Sequence, residues 1–248
     1  MTRIAALALL AATALTLPAL TSPAQAQSLG LGRNLSVDAG LGVKYGPEFM
    51  GSDDKDASPW FILRNAGNGG GSDGFSILPS LNYVGKRDAG DHDDLQGMED
   101  IDPAGEIGLK LSWRMGDLTS YGTLRKGFGG HHGVVGELGA KYRFVANDRL
   151  TLWTGAELGL GDDEFTGTYF GVTPAETRPG RSVHDPDGGA YIARISVEAR
   201  YEFMPDTAVL GRLTYGRLLG DAGDSPLVET RNQPSVSIGV ARRLNFRF

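Results

Sequence analysis

The last fourteen residues, SVSIGVARRLNFRF, alternate with a single interruption. Val236, Ile238, Val240, Leu244, Phe246 and Phe248 take the even positions. Ser235, Ser237, Gly239, Ala241, Arg243, Asn245 and Arg247 take the odd ones, and only Arg242 departs. Successive side chains of a strand point to opposite faces, so the segment is a ribbon with one apolar face and one small or charged face. A water-soluble sandwich strand alternates in the same way. What separates the two readings is how often the pattern recurs, and in which compartment.

The amino terminus addresses the compartment. Arg3 precedes an Ala/Leu-rich run over residues 4–20, and Ala24-Gln25-Ala26 has the small-residue form of an export cleavage site. Residues 1–26 therefore read as a secretory signal peptide, and 27–248 as one β-barrel domain. The chain has no cysteine, so an exported protein of this sequence must be held by its fold alone. No later stretch reaches the roughly 18–20 apolar residues of a spanning helix. Mean hydropathy is mildly negative at −0.20, but a transmembrane strand needs only about 9–11 alternating residues and hardly registers on that scale. The formal charge of −6 argues against a nucleic-acid partner.

Apolar alternation returns over residues 35–45, 60–63, 75–83, 107–113, 118–126, 134–144, 150–158, 191–203 and 209–219. With the closing segment this gives about ten strands, all antiparallel if sequential strands pair. The fifth alternates poorly, and Pro79 in the third predicts a bulge or local distortion, because proline cannot donate to a ladder. An alternative count of twelve makes residues 165–172 a strand paired within 173–186. Turns at 65–73, 115–117, 146–148 and 204–206 are short or glycine-rich, whereas connections at 46–58, 85–102, 127–133, 161–189 and 220–234 are mostly longer and polar. That asymmetry is the outer-membrane pattern of short periplasmic turns and long outer loops. In lipid every backbone group must be paired within the protein, which leaves a closed barrel as the only sheet solution.

Strand direction then places Tyr45, Trp60, Tyr83 and Tyr191 at the outer rim. It places Trp113, Tyr142, Phe144, Tyr201, Phe203, Phe246 and Phe248 at the inner one, giving two aromatic girdles. The opposite face carries Glu106, Lys110, Arg114, Glu137, Lys141, Arg143, Arg194, Glu198, Arg200, Glu202, Arg212, Arg243 and Arg247. A narrow barrel is filled by its inward side chains, and this mixture predicts a cross-strand ion-pair network that plugs the lumen. Phe165, Tyr169 and Phe170 in the longest loop need cover, so residues 168–173 are expected to fold inward or to lie at the membrane surface.

Several stretches taken together resemble the MipA/OmpV family of outer-membrane scaffolding proteins for murein synthesis. They are YGPEFMGSDD from Tyr45 with Ser58-Pro59, LGLGDD from Leu158, TYFGVTP from Thr168, YGRLLGDA from Tyr215 and DSPLVE from Asp224. The closing ARRLNFRF departs from the shorter aromatic-basic-Phe ending usual in the family. The resemblance implies a non-enzymatic protein of the cell outer membrane, in contact with lipid and lipopolysaccharide. It further implies a lytic transglycosylase and a penicillin-binding protein as partners. It supplies no catalytic motif, cofactor or metal ligand to carry over.

The residues themselves offer weaker alternatives. Asp91-His92-Asp93-Asp94 with Glu99, Asp100 and Asp102 is a set of hard oxygen donors, but it lacks the spacing and central glycine of an EF-hand; a solvated acidic loop is the simpler reading. His131-His132 has no third ligand fixed by spacing. A rim-active barrel hydrolase would draw on Asp91, His92, His131, His132, His184 and Asp185, yet no G-x-S-x-G elbow or spaced nucleophile–base pair is present. A narrow solute channel and an adhesin complete the alternatives.

Overall fold

The computed structural model describes residues 34–65 and 73–247; the expected signal peptide and Phe248 lie outside them. Ten strands follow one another, all antiparallel: β1 Asn34–Pro47, β2 Lys55–Asn65, β3 Gly74–Val84, β4 Ala104–Met115, β5 Leu118–Gly129, β6 Val134–Val145, β7 Leu150–Gly161, β8 Gly189–Met204, β9 Thr207–Leu218 and β10 Asn232–Arg247. Each has at least 11 residues, enough to cross a hydrocarbon core when tilted. No helix among the described residues is long and apolar enough to do so.

One face of this sheet is apolar and uncovered. Leu41, Phe61, Leu81, Leu109, Leu124, Leu138, Ile195, Leu213 and Ile238 come from nine of the strands, and each is more than half exposed. A sheet in water buries such a face; here it is a belt for lipid, and the chain is an outer-membrane β-barrel protein. At the short-turn end Phe75, Trp113, Tyr142, Phe144, Tyr201, Phe203 and Phe246 are exposed on the belt, and Phe75 stacks on Trp113 at 5.8 Å. At the long-loop end Tyr45, Tyr83, Phe128 and Tyr215 do the same.

Two aromatics expected in that outer girdle are elsewhere. Trp60 turns into the lumen, beside Ile62, Leu210 and Ala241, with the Arg212 guanidinium 5.0 Å from its ring centroid. It shares the parity of Ile62, and the apolar run around it hid which face was which. Tyr191 is buried. The β7–β8 register shifts between Gly159 and Leu160, pairing Gly159 with Ile192 but Leu160 with Ala190. That bulge swings Tyr191 off the lipid face and onto Phe165.

The sheet order is β2-β1-β10-β9-β8-β7-β6-β5-β4-β3. Among the described residues no ladder joins β2 to β3, so where the sequence led to a closed ring the structure is a curled ten-stranded sheet, laddered between β1 and β10 and open between β2 and β3. The curl brings β2 across the lumen: Arg64 meets Glu198 of β8 and lies 4.5 Å from the Trp153 ring of β7. Both end strands carry an interior proline, Pro59 and Pro79. The bulge expected at Pro79 does not occur, for β3 pairs with β4 in unbroken register through Pro79 opposite Leu109. An end strand has one free side, and a proline there loses no ladder donor.

The twelve-strand alternative is excluded. Residues 163–170 form a helix, and only isolated bridges, Val172 to His184 and Arg178 to Arg181, stand where a further hairpin was expected. The Thr168–Phe170 segment is thus helical rather than extended.

Leu109 lies mid-belt, between Ile107 and Leu111. Replacing it with Arg should cost about 2–4 kcal/mol, read from urea unfolding in vesicles. The same change at a turn such as Asp148 should cost little.

Candidate functional site

The inward face forms a stack of ion pairs along the barrel axis. Nearest the loops, Arg125 of β5 donates to Glu106 of β4 at 2.7 Å and chelates Glu137 of β6 at 2.7 and 3.2 Å. Asn82 adds a bond to Glu106 at 3.0 Å. One layer down, the Tyr121 hydroxyl donates to Glu157 at 2.7 Å and Arg194 to its other oxygen at 2.9 Å. Below that, Glu198 accepts from Arg212 at 2.8 and 2.5 Å and from Arg64. Towards the turns, Asp38 is 1% exposed and accepts from Arg200 at 3.2 Å and Arg243 at 3.1 Å, with Arg64 at 3.5 Å. Arg200 also binds Glu202 at 2.7 Å.

The expected cross-strand ion-pair network is therefore present, but several of its key members were not on the list read from the sequence. Asp38 stood on the polar face of β1 as one acid among serines and glycines. Glu157 stood on that of β7, and Arg125 fell in the strand whose alternation looked poor. The parity of Leu118 and Leu124 would have placed Arg125 inside. The partners of each charge depend on register and curl, which spacing along one strand does not carry.

The loop end is closed by a cap built from five connections. The helix α1, Asp163–Phe170, is its centre. Asp162 caps it, accepting from Phe165 N at 3.0 Å while its other oxygen accepts from Val134 N at 2.8 Å. Asp163 accepts from Gly188 N at 2.7 Å. Phe165, Tyr169 and Phe170 face inward and pack with Val135, Tyr191, Ile192 and Leu218. A Cβ at Gly161 would sit 2.5 Å from the Phe165 ring, so glycine is required there. A second helix, α2 (Gly220–Asp224), adds Ala222. Ser225 donates to Phe170 O at 2.6 Å, and Leu227 joins Leu95 and Val172 in an adjoining cluster.

His131 hangs beneath this roof, 2% exposed, edge-on to Phe165 and Tyr169. Its Nε2 is 3.4 Å from Glu106, close enough for an ion pair but not aligned as a hydrogen bond. Gly127 makes room for it, since a Cβ there would lie 2.2 Å from the imidazole. Burial pushes the Tyr169 hydroxyl up to about 12.

The residues weighed for rim chemistry are dispersed. His92 pairs with Glu48 at 3.2 Å and packs on Phe49. His132 is exposed while His131 is enclosed. His184 Nε2 meets Asp221 O at 2.9 Å. In the acidic loop the backbone carbonyls of Asp93, Asp94 and Gln96 accept from Arg178 and Arg181, all at 2.8 Å. Guanidinium groups from the α1 connection thus organise this loop. Among the described residues no group of three or more acidic, His or Cys side chains is placed to hold a metal.

The profile of the family described as MltA-interacting protein MipA matches residues 39–244. The chain belongs to this family. MltA-interacting proteins of Escherichia coli K12 and Shigella flexneri are each 27% identical over 164 residues, covering 64% of the chain. The alignment spans 63% of those relatives' own length. Among solved structures, the NanC porin is 13% identical with a TM-score of 0.42, over 85% of this chain and all of that one. Ail of Yersinia pestis is 10% identical with a TM-score of 0.27, over 85% and 98%.

The stretches that carry the MipA resemblance converge on the cap. LGLGDD supplies its N-cap, TYFGVTP its buried rings, YGRLLGDA Leu218 and Ala222, and DSPLVE Ser225 and Leu227. The first-loop pattern supplies Gly51, whose N–H donates to Gln233 at 3.2 Å.

Arg125→Leu leaves Glu106 and Glu137 without their shared cation, and should cost about 3–5 kcal/mol. Adding Glu106→Gln and Glu137→Gln should restore most of it, measured as unfolding midpoints in detergent. A second outcome concerns Glu176. Burial alone would raise its carboxyl, but bonds from the Thr173 hydroxyl (2.7 Å), Thr173 N (2.8 Å) and Glu99 N (3.3 Å) outweigh it and hold the group below the usual range. A depressed carboxyl stabilises above its unfolded pKa and loses that contribution as pH falls through the folded one. Corrected for intrinsic exchange, amide protection at Thr173 and Glu99 should be flat from pH 8 to 6 and fall on further acidification.

Proposed function

We propose that this protein is a non-enzymatic outer-membrane scaffold that presents its short-turn end to murein enzymes. The observation that carries the reading is where the side chains are spent. The lumen charges are engaged mainly with one another, and the loops with the cap. The turn end offers an exposed, mixed-charge rim instead: Asp117, Asp148, Arg149 and Asp206. In the outer-membrane arrangement that end faces the periplasm, where murein is made and cut. The name of the relatives points to a lytic transglycosylase, and the family resemblance adds a penicillin-binding protein. A rim hydrolase finds no support in the dispersed His92, His131 and His184.

The test is surface plasmon resonance between the folded barrel and a purified lytic transglycosylase of the MltA type. Saturable binding is expected. It should weaken about tenfold, a loss of about 1.4 kcal/mol, in Arg149→Glu/Asp206→Lys, and be unchanged in the cap variant Arg178→Gln. No binding, or equal loss from the cap variant, sinks the proposal.

A further inference from the structure

Midway along the lumen the ion-pair stack is unbalanced. Lys110 of β4 and Lys141 of β6 stand over one Tyr121 ring, their ammonium nitrogens 3.8 and 5.7 Å from its centroid. The two carboxylates at this level are already engaged. Glu157 receives the Tyr121 hydroxyl on one oxygen and Arg194 on the other. Glu137 gives both oxygens to Arg125. Lys44 of β1, on the lumen-facing parity of its strand, adds a further positive charge that repels Arg194. Among the described residues none of the three lysines has a carboxylate within ion-pair distance. The layer thus gathers Lys44, Lys110, Lys141 and Arg194 near two carboxylates, Glu137 and Glu157, whose oxygens already accept from other groups, in a protein whose overall charge is −6.

Gathering like charges in a narrow, low-dielectric lumen is costly. Each ammonium has three donors. The faces of an aromatic ring supply attraction but no lone pair. Lys44 is exposed to the lumen, and Lys110 and Lys141 are half-buried, so the layer is reachable by a solute. We propose that it is a binding station for a small oxyanion, a phosphate or a carboxylate, held between Lys110 and Lys141 with Lys44 and Arg194 behind it. The oxyanion would supply the acceptors that the barrel's own acids do not. The station stands independently of the scaffold reading; it needs only the lumen.

The experiment is isothermal titration calorimetry of the folded barrel in neutral detergent, at constant ionic strength set with chloride. Inorganic phosphate and succinate are the two probes. One saturable site for at least one probe is expected; the stronger probe identifies the class. Lys110→Gln/Lys141→Gln should weaken it at least tenfold, and Lys126→Gln, at the loop rim near Glu164, should not. The double variant should also melt higher than wild type without the probe, because like-charge repulsion is relieved, and gain nothing on adding it. Heat-modifiable gel mobility reports that each variant is folded; should the double variant not fold, Lys110→Gln alone is read in the same way. Lys141→Arg should retain binding. No saturable heat with either probe, or equal affinity in a folded Lys110→Gln variant, overturns the station.

Discussion

Everything in this molecule follows from giving one face of a sheet to hydrocarbon. In lipid the backbone must be hydrogen-bonded internally and the outward side chains must be apolar. Strand periodicity then leaves half of the residues facing the lumen. Charges cannot be moved to the outside, so they must be neutralised by one another. That is why Asp38 gathers Arg200, Arg243 and Arg64, and why Glu198 serves both Arg212 and Arg64. The inner network is the counterpart of the outer belt.

The same constraint explains how the curled sheet is held where, among the described residues, β2 and β3 are not laddered. Arg64 reaches from β2 across to β7 and β8. At the loop end, Glu48 and Phe49 from the β1–β2 connection meet His92 from the β3–β4 connection. These contacts join the two edges of the sheet at one rim without a strand-to-strand ladder. Ordered loops are costly in entropy, and the cap offsets that cost with a compact apolar cluster, Phe165, Tyr169, Phe170, Tyr191, Ile192 and Leu218.

What was legible in the sequence is what depends on period two. The strands, their sequential antiparallel pairing apart from β2 and β3, the lipid belt, the inner aromatic girdle and the fact of an ion-paired lumen all come from alternation and turn spacing. What was not legible depends on geometry beyond one strand. The bulge at Tyr191 reverses a face without any local signal. Trp60 lies in a segment apolar on both sides, so parity could not be assigned. The helix Asp163–Phe170 contains two threonines and a glycine, poor helix formers. Its formation rests on the Asp162 cap and on burial of three rings, both of which are tertiary. Pairing of charges likewise needs register: Arg125 and Glu106 are in neighbouring strands, but Arg64 and Glu198 meet only because the sheet curls.

The residues that mark the family therefore have an architectural explanation that is separate from any partner. Asp162, Tyr169, Phe170, Ser225 and Leu227 hold the roof together, at the end of the barrel opposite the short turns. A barrel whose loops were loose would expose Phe165, Tyr169 and the enclosed His131 to solvent, and would leave Glu106 and Arg125 beneath an open mouth. Sealing that mouth keeps the upper ion pairs at low dielectric, where their attraction is strongest and where an unpaired charge is least tolerated. The roof and the stack below it are thus one device: the rings exclude water, the exclusion strengthens the Arg125 knot, and that knot ties together β4, β5 and β6, two of which flank the connection on which His131 sits.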